Sequence, residues 1–196
     1  MNADFKIDGI KLETERLVLR AFKDSDLNDF YEYASEDGVG EMEETKDILD
    51  LFIKEDETFA IFLKGNNKVI GSVGVEKYGM EDKLTEFSNY KGREIGYVLS
   101  KDYWGKGIMP EAVNAVIHYL FHTQSLDFLI CGYYDFNNQS KRVQEKLGFK
   151  PYRKLTLNTS MGTNENGVLN LLLNPDKNIV LKFSHKETLI YRPFES

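Results

Sequence analysis

The stretch 93-REIGYVLSKDYWGKGIMPEA-112 changes its period in the middle, and that change decides the fold. Residues 93–100 read as a strand, with Glu94, Gly96 and Val98 sharing one face. Ala112, Val113, Val116, Ile117, Leu120 and Phe121 then recur at helical spacing over 110–123. Pro110 fits the first helical turn, and the loop WGKG lies before it. An apolar strand, 126-LDFLICGYY-134, follows the helix. A strand, a crossover helix and a second strand make parallel neighbours.

Working outward, 15-ERLVLRAF-22 alternates as a strand and 24-DSDLNDFYEYAS-35 has caps and helical spacing. Residues 36–44 read as a loop and 45-TKDILDLFIK-54 as a second helix. The run 58-TFAIFLKGNNKVIGSVGVEKY-78 is a hairpin turning at Gly65–Asn67. With 93–100 it completes an antiparallel meander. Downstream, 138-NQSKRVQEKLG-148 is a helix with Val143 and Leu147 inward and Gly148 as a left-handed stop. The tail offers strands at 150–157, 168–173, 179–183 and 188–192, with NPDKN a turn. The expected fold is a mixed α/β (α+β) sheet: an antiparallel meander, then a parallel β-α-β crossover, helices on both faces, and extra C-terminal strands. One domain over 1–196 is expected, its core about 12–155 and a β extension about 156–196.

The formal charge of −7 argues against a nucleic-acid partner. No apolar run approaches the roughly 20 residues of a membrane span. The start of the chain resembles no secretory leader, and the single cysteine, Cys131, sits in an apolar run, so a cytoplasmic protein with a packed core thiol is expected. Between Glu36 and Glu57, ten acids face two lysines, Lys46 and Lys54. That is either a solvated helix face or an anionic rim that collects a cationic substrate. His118 and His122 stand four apart, but no HExxH pattern or third ligand accompanies them, and His185 sits alone, so no metal is expected.

Gly105 and Gly107 free the backbone to aim N–H groups at one point, and the helix behind adds a positive dipole end. Such a loop suits an anion, with Lys106 able to add charge; the alternative is a tight turn. A Walker loop fails, because its first glycine would fall on Ser100 and Gly107 stands where Ser or Thr is required. A dinucleotide fingerprint fails at Pro110.

A third family fits. The sequence resembles the Gcn5-related N-acetyltransferase (GNAT) superfamily, in particular its RimJ/RimL-like ribosomal-protein alanine N-acetyltransferase branch. The stretches 14-TERLVLRAF-22, 94-EIGYVLSKDYWGKGIMPEA-112, 137-NNQSKRV-143 and 145-EKLGF-149 carry the resemblance in the family's order. It implies acetyl-CoA as donor. The pyrophosphate would lie on the loop Trp104, Gly105, Lys106, Gly107, Ile108 and Met109, and the pantetheine along Val98, Leu99 and Ser100 like an added strand. Asn137 and Ser140 match the family's N-x-x-S motif near the thioester. Met109 departs from a usually small position, Gln144 stands where many members carry a tyrosine acid, and 158–186 is longer than in the branch.

The implied reaction is direct attack of a neutral amine on the thioester. A lysine-like amine is neutral about 4 times in 10,000 at pH 7, an α-amine about one time in ten, so a base matters most for the former. Glu94 is the candidate base, matching a carboxylate that several members use; a structural strand carboxylate is the alternative. Ser140 is either a helix cap or an acid to the thiolate. Tyr97 and Tyr134 are further acid candidates, with packing as the competing role, and a backbone N–H near Val98 is the oxyanion donor that the resemblance implies. The acceptor would be a protein N-terminus or a small amine such as a polyamine, and the protein a monomer or homodimer. An acyl-CoA-binding module without catalysis and a nucleotide-binding protein are the rival functions.

Overall fold

The computed structural model describes residues 1–35, 41–65, 67–79, 84–158 and 164–181. The alternating run Leu17–Ala21 forms a strand (β2), preceded by the short β1 at Leu12–Glu13, with Leu17 and Leu19 fully buried. A 3-10 turn at Asp24–Asp26 leads into α1, Leu27–Ser35. Arg20 fixes that entry: its Nη1 and Nη2 donate to the buried Asp26 carboxylate at 2.7 and 2.8 Å. Helix α2, Met42–Glu55, starts earlier than its apolar spacing suggests, because Glu43 and Glu44 suit the positive end of a first turn. It stops at Asp56, which adopts a left-handed φ of 50°.

The hairpin forms as expected, from β3 (Thr58–Leu63) and β4 (Lys68–Glu76). Asn66, inside its turn, lies outside the described residues. Then follow β5 (Gly92–Leu99), α3 (Ile108–His118) and β6 (Phe128–Tyr134). The helix expected to reach residue 123 widens into a π turn over Tyr119–Thr123. Helix α4 is Asn138–Lys146, and the long β7 (Lys150–Asn158) and β8 (Asn164–Leu173) follow.

The hydrogen-bonded strand order is β1-β2-β3-β4-β5-β6-β8-β7. Strands β5 and β6 are parallel, with Gly92 opposite Phe128 and Glu94 opposite Ile130. This is the mixed sheet, meander and crossover read from the sequence.

The chain divides into two compact units, one of Met1–Ala3, Lys77–Ile95 and Leu120–Ser196, the other of Asp4–Glu76 and Gly96–Tyr119. In the first, Phe87, Phe128, Tyr78 and Tyr152 pack ring against ring, with Phe87 stacked on Phe128 at 4.1 Å. Arg93 is fully buried there and donates its Nε–H to the Ala3 carbonyl at 2.7 Å. In the second, Phe22, Phe30 and Phe52 cluster between α1 and α2 with centroids 5.5 to 5.7 Å apart.

The tail corrects one expectation. Ile179–Leu181 form no strand. The Tyr90 hydroxyl donates to the Val180 carbonyl at 2.9 Å and accepts the Val180 N–H at 3.1 Å, while the Val180 side chain stays exposed. One side-chain anchor thus replaces a ladder. The strand read at 188–192 lies outside the described residues.

A Cβ on Gly92 would sit 2.3 Å from the Phe128 ring. Gly92→Ala overpacks this site and is expected to cost about 1–3 kcal/mol. Thermal unfolding should show a drop of about 2–4 °C for each kcal/mol.

Candidate active site

The glycine loop belongs to the second unit. Gly105 and Gly107 have φ of 74° and 73°, the left-handed region that a Cβ makes costly. A Cβ on Gly105 would meet nothing within 4 Å, so the glycines are required for backbone conformation rather than for space. Gly107 caps α3, and Glu111 N–H reaches back to the Gly107 carbonyl at 3.3 Å. The N–H groups before Glu111 have no preceding helical turn to pair with and crowd the positive end of the helix.

What holds this loop is a carboxylate in the first turn of α3. Glu111 Oε1 accepts from the Thr14 hydroxyl at 2.5 Å and from Arg16 N–H at 3.1 Å. Its Oε2 accepts from Arg16 Nε at 2.6 Å. Arg16 Nη1 also donates to the Lys106 carbonyl at 2.9 Å, inside the loop. Burial alone would raise the Glu111 pKa; the bonds from Thr14 and Arg16, with the guanidinium charge, outweigh it and hold the carboxyl below its ordinary value.

Lys106 is already engaged: its Nζ donates to the Asp102 carbonyl at 2.7 Å and lies 5.3 Å from the Tyr103 ring centroid. Ile108 and Met109 are buried in the first turn of α3, so Met109 fills core space. Strand β5 alternates as read, with Leu99 buried and Val98 exposed. Trp104, 40% exposed, donates its indole N–H to the Leu99 carbonyl at 2.8 Å. Ser100 N–H is taken by Ile70 of β4 at 2.9 Å. Val98, Leu99, Ser100 and the loop 104–109 therefore lie together at one end of β5.

The other predicted residues belong to the first unit. Glu94 stands half-buried on β5, opposite Ile130. Asn137 caps α4, its Oδ1 accepting Ser140 N–H at 3.0 Å. The capping role weighed for Ser140 thus falls to Asn137, because the cap is the residue just before the helix and Ser140 lies in its first turn. Ser140 is buried, and its hydroxyl accepts from Gln144 Nε2 at 3.1 Å.

Gln144 is the residue that sequence reasoning undervalued. It is fully buried, whereas Val143 and Leu147, read as the inward face, are half-buried. It donates to the Gly132 carbonyl at 3.1 Å and accepts from Asn170 Nδ2 at 2.9 Å. An amide can donate and accept at once, so Gln144 ties α4 to β6 and β8 and fixes Ser140. Tyr134 is half-buried and stacks on the exposed Phe136 at 5.3 Å with 3° between the rings. Tyr97 is half-buried as well.

The acids at 41–55 line exposed positions of α2, Lys46 pairing with Asp50 at 2.6 Å; Glu36 and Asp37 lie outside the described residues. Among the described residues no group of three His, Cys, Asp or Glu is placed to hold a metal. His122 instead meets Asp176 at 3.1 Å. His185 lies outside the described residues.

The architecture around the loop is a mixed sheet with a parallel β5-α3-β6 crossover whose helix is capped by Gly107. The match to known families gives its class: the acetyltransferase (GNAT) domain covers residues 16–150, and the chain belongs to that family. It is 35% identical over 123 residues to "Probable N-acetyltransferase YjcK" of Bacillus subtilis, covering 62% of this chain and 64% of that protein, just under two thirds of its length. It is 26% identical over 164 residues to the ribosomal protein uS5-alanine N-acetyltransferase of Escherichia coli, covering 72% and 78%. A GNAT-family acetyltransferase from Bacillus anthracis matches in structure with a TM-score of 0.73 at 25% identity, covering 84% of this chain and 99% of that one.

The depressed Glu111 pKa makes a signed prediction. A group whose folded pKa lies below its unfolded value adds stability above the unfolded pKa and loses it as pH falls through the folded one. Glu111→Gln should lower stability by about 1.5–3 kcal/mol at pH 7. The gap to the wild type should shrink steadily below about pH 4 in thermal melts.

Proposed function

We propose that the chain is an acetyl-CoA-dependent N-acetyltransferase that moves an acetyl group to a primary amine by direct attack in a ternary complex. The observation that carries this is the loop at the start of α3. Two left-handed glycines turn its backbone, and Arg16, itself held by Glu111, grips the Lys106 carbonyl. With that carbonyl anchored, the amides of Gly105 to Met109 would receive the diphosphate of a coenzyme. The end of β5 at Val98, Leu99 and Ser100, where Val98 is exposed, would take the pantetheine. We treat residues 1–196 as one domain, because the family match runs through segments of both units.

The chemistry needs a neutral amine, a stabilised oxyanion and a proton for the thiolate. An amide near Val98 would donate to the oxyanion. Glu94 would offer a carboxylate to the amine, as base or as the acceptor that orients it. Ser140 would pass a proton to the leaving sulfur, its oxygen held by Gln144 and its backbone by Asn137. No metal enters the reaction. A protein N-terminus is the proposed acceptor, by likeness to the uS5-alanine enzyme. The exposed acids of α2 suit a basic peptide or polyamine.

The test is CoA thiol release from acetyl-CoA with basic N-terminal peptides, polyamines and amino sugars. Peptide-dependent release is expected. Binding of acetyl-CoA with no release across the screen would leave a coenzyme-binding module instead. Reversing Glu43, Glu44 and Asp47 to lysine should raise the KM of a basic acceptor several-fold and leave acetyl-CoA affinity unchanged.

A further inference from the structure

The acid that sequence reading passed over is Glu76, the last residue of β4. Its carboxylate rests over two glycines: a Cβ on Gly74 would stand 2.7 Å from Glu76 Oε1, and one on Gly96 would stand 3.3 Å from it. Any side chain at Gly74 would displace the carboxylate, and one at Gly96 would crowd it. Gly96 lies on β5 between Glu94 and Val98, on the strand face those two share. Among the described residues, no hydrogen-bond donor and no cation pairs with Glu76.

We propose that Glu76 is the proton acceptor for the amine substrate; this rests on the acetyltransferase reading above. The surroundings fit the role. Glu76 is exposed at its outer edge, yet the protein crowds its carboxylate, and this desolvation first, then the negative charge of Glu57, raises its pKa above the ordinary value. A carboxylate that no described residue pairs, crowded by the backbone of two strands and with its proton affinity raised, suits the role of proton acceptor. Glu57 comes from the turn before β3, where its backbone carbonyl accepts Val75 N–H at 2.8 Å. Lys6 Nζ lies 3.9 Å from Glu57 Oε1, and Lys77 follows Glu76 in the chain. On β5, Glu94 is the charged residue of the Gly96 face.

The step balances as follows. The ammonium gives one proton to the Glu76 carboxylate and becomes a neutral amine. Its nitrogen forms a bond to the thioester carbon, and the carbon–sulfur bond breaks with its electron pair on sulfur. That thiolate takes the Ser140 hydroxyl proton, and the excess proton on nitrogen restores it, giving amide and free thiol. Glu76 then releases its proton to water.

The experiment measures kcat/KM against pH for wild type, Glu76→Gln, Glu76→Asp and Glu94→Gln, with acetyl-CoA binding followed by thermal shift in each. Glu76→Gln is expected to lose at least about 100-fold in kcat/KM at pH 7 and to flatten the acidic limb, with acetyl-CoA stabilisation unchanged. Glu76→Asp should recover part of the rate, and Glu94→Gln should lose rate but keep the limb. A Glu76→Gln enzyme within about threefold of wild type with its limb intact overturns the proposal. So does a limb lost only in Glu94→Gln. A wild type that acetyl-CoA fails to stabilise overturns the acetyltransferase reading itself, a result distinct from either.

Discussion

The bonding of Glu111 is the constraint on which the rest of the site depends. One carboxylate gathers the hydroxyl of Thr14 and the backbone and guanidinium of Arg16, and Arg16 in turn grips the Lys106 carbonyl. A loop with two left-handed glycines has many conformations open to it, and ordering it costs about 1–2 kcal/mol of backbone entropy per residue. Charge-assisted hydrogen bonds of about 1.5–3 kcal/mol each are of the size needed to offset that. Arg16 is partly exposed, so its share falls toward the lower end. The stretches TERL and MPEA, far apart in sequence, are therefore two halves of one clamp.

Much of the architecture was legible. The change from strand to helical spacing between residues 93 and 123 is a direct consequence of burial on one face, and it yielded β5, α3 and β6 in order. The backbone freedom of the loop at Gly105 and Gly107 was legible, with an anion site and a tight turn both open; the left-handed φ of both residues was not. Nor was the clamp itself. Glu111 and Arg16 are ordinary surface residue types, and nothing in their spacing announces that they meet.

Polar residues in the interior were least legible. Gln144 interrupts a helix whose neighbours suggest that Val143 and Leu147 face inward, yet it is Gln144 that is buried. A glutamine enters a core only when donors and acceptors already wait for it, and those come from β6 and β8. Glu76 was invisible for a related reason: its setting comes from two glycines on different strands. The tail failed at Ile179–Leu181 because an apolar triplet satisfies a strand pattern without a strand to pair with.

In the proposed reaction the coenzyme is held by backbone groups of the loop at the start of α3. That puts the weight of the account on the loop as an anion site. The most direct measurement is calorimetric titration of acetyl-CoA into the wild type and into Gly107→Glu, with circular dichroism to show that both are folded. The account predicts saturable binding to the wild type and at least tenfold weaker binding to the variant, whose side chain adds negative charge and a Cβ at a left-handed position. Equal binding by both, or none by a folded wild type, would contradict it.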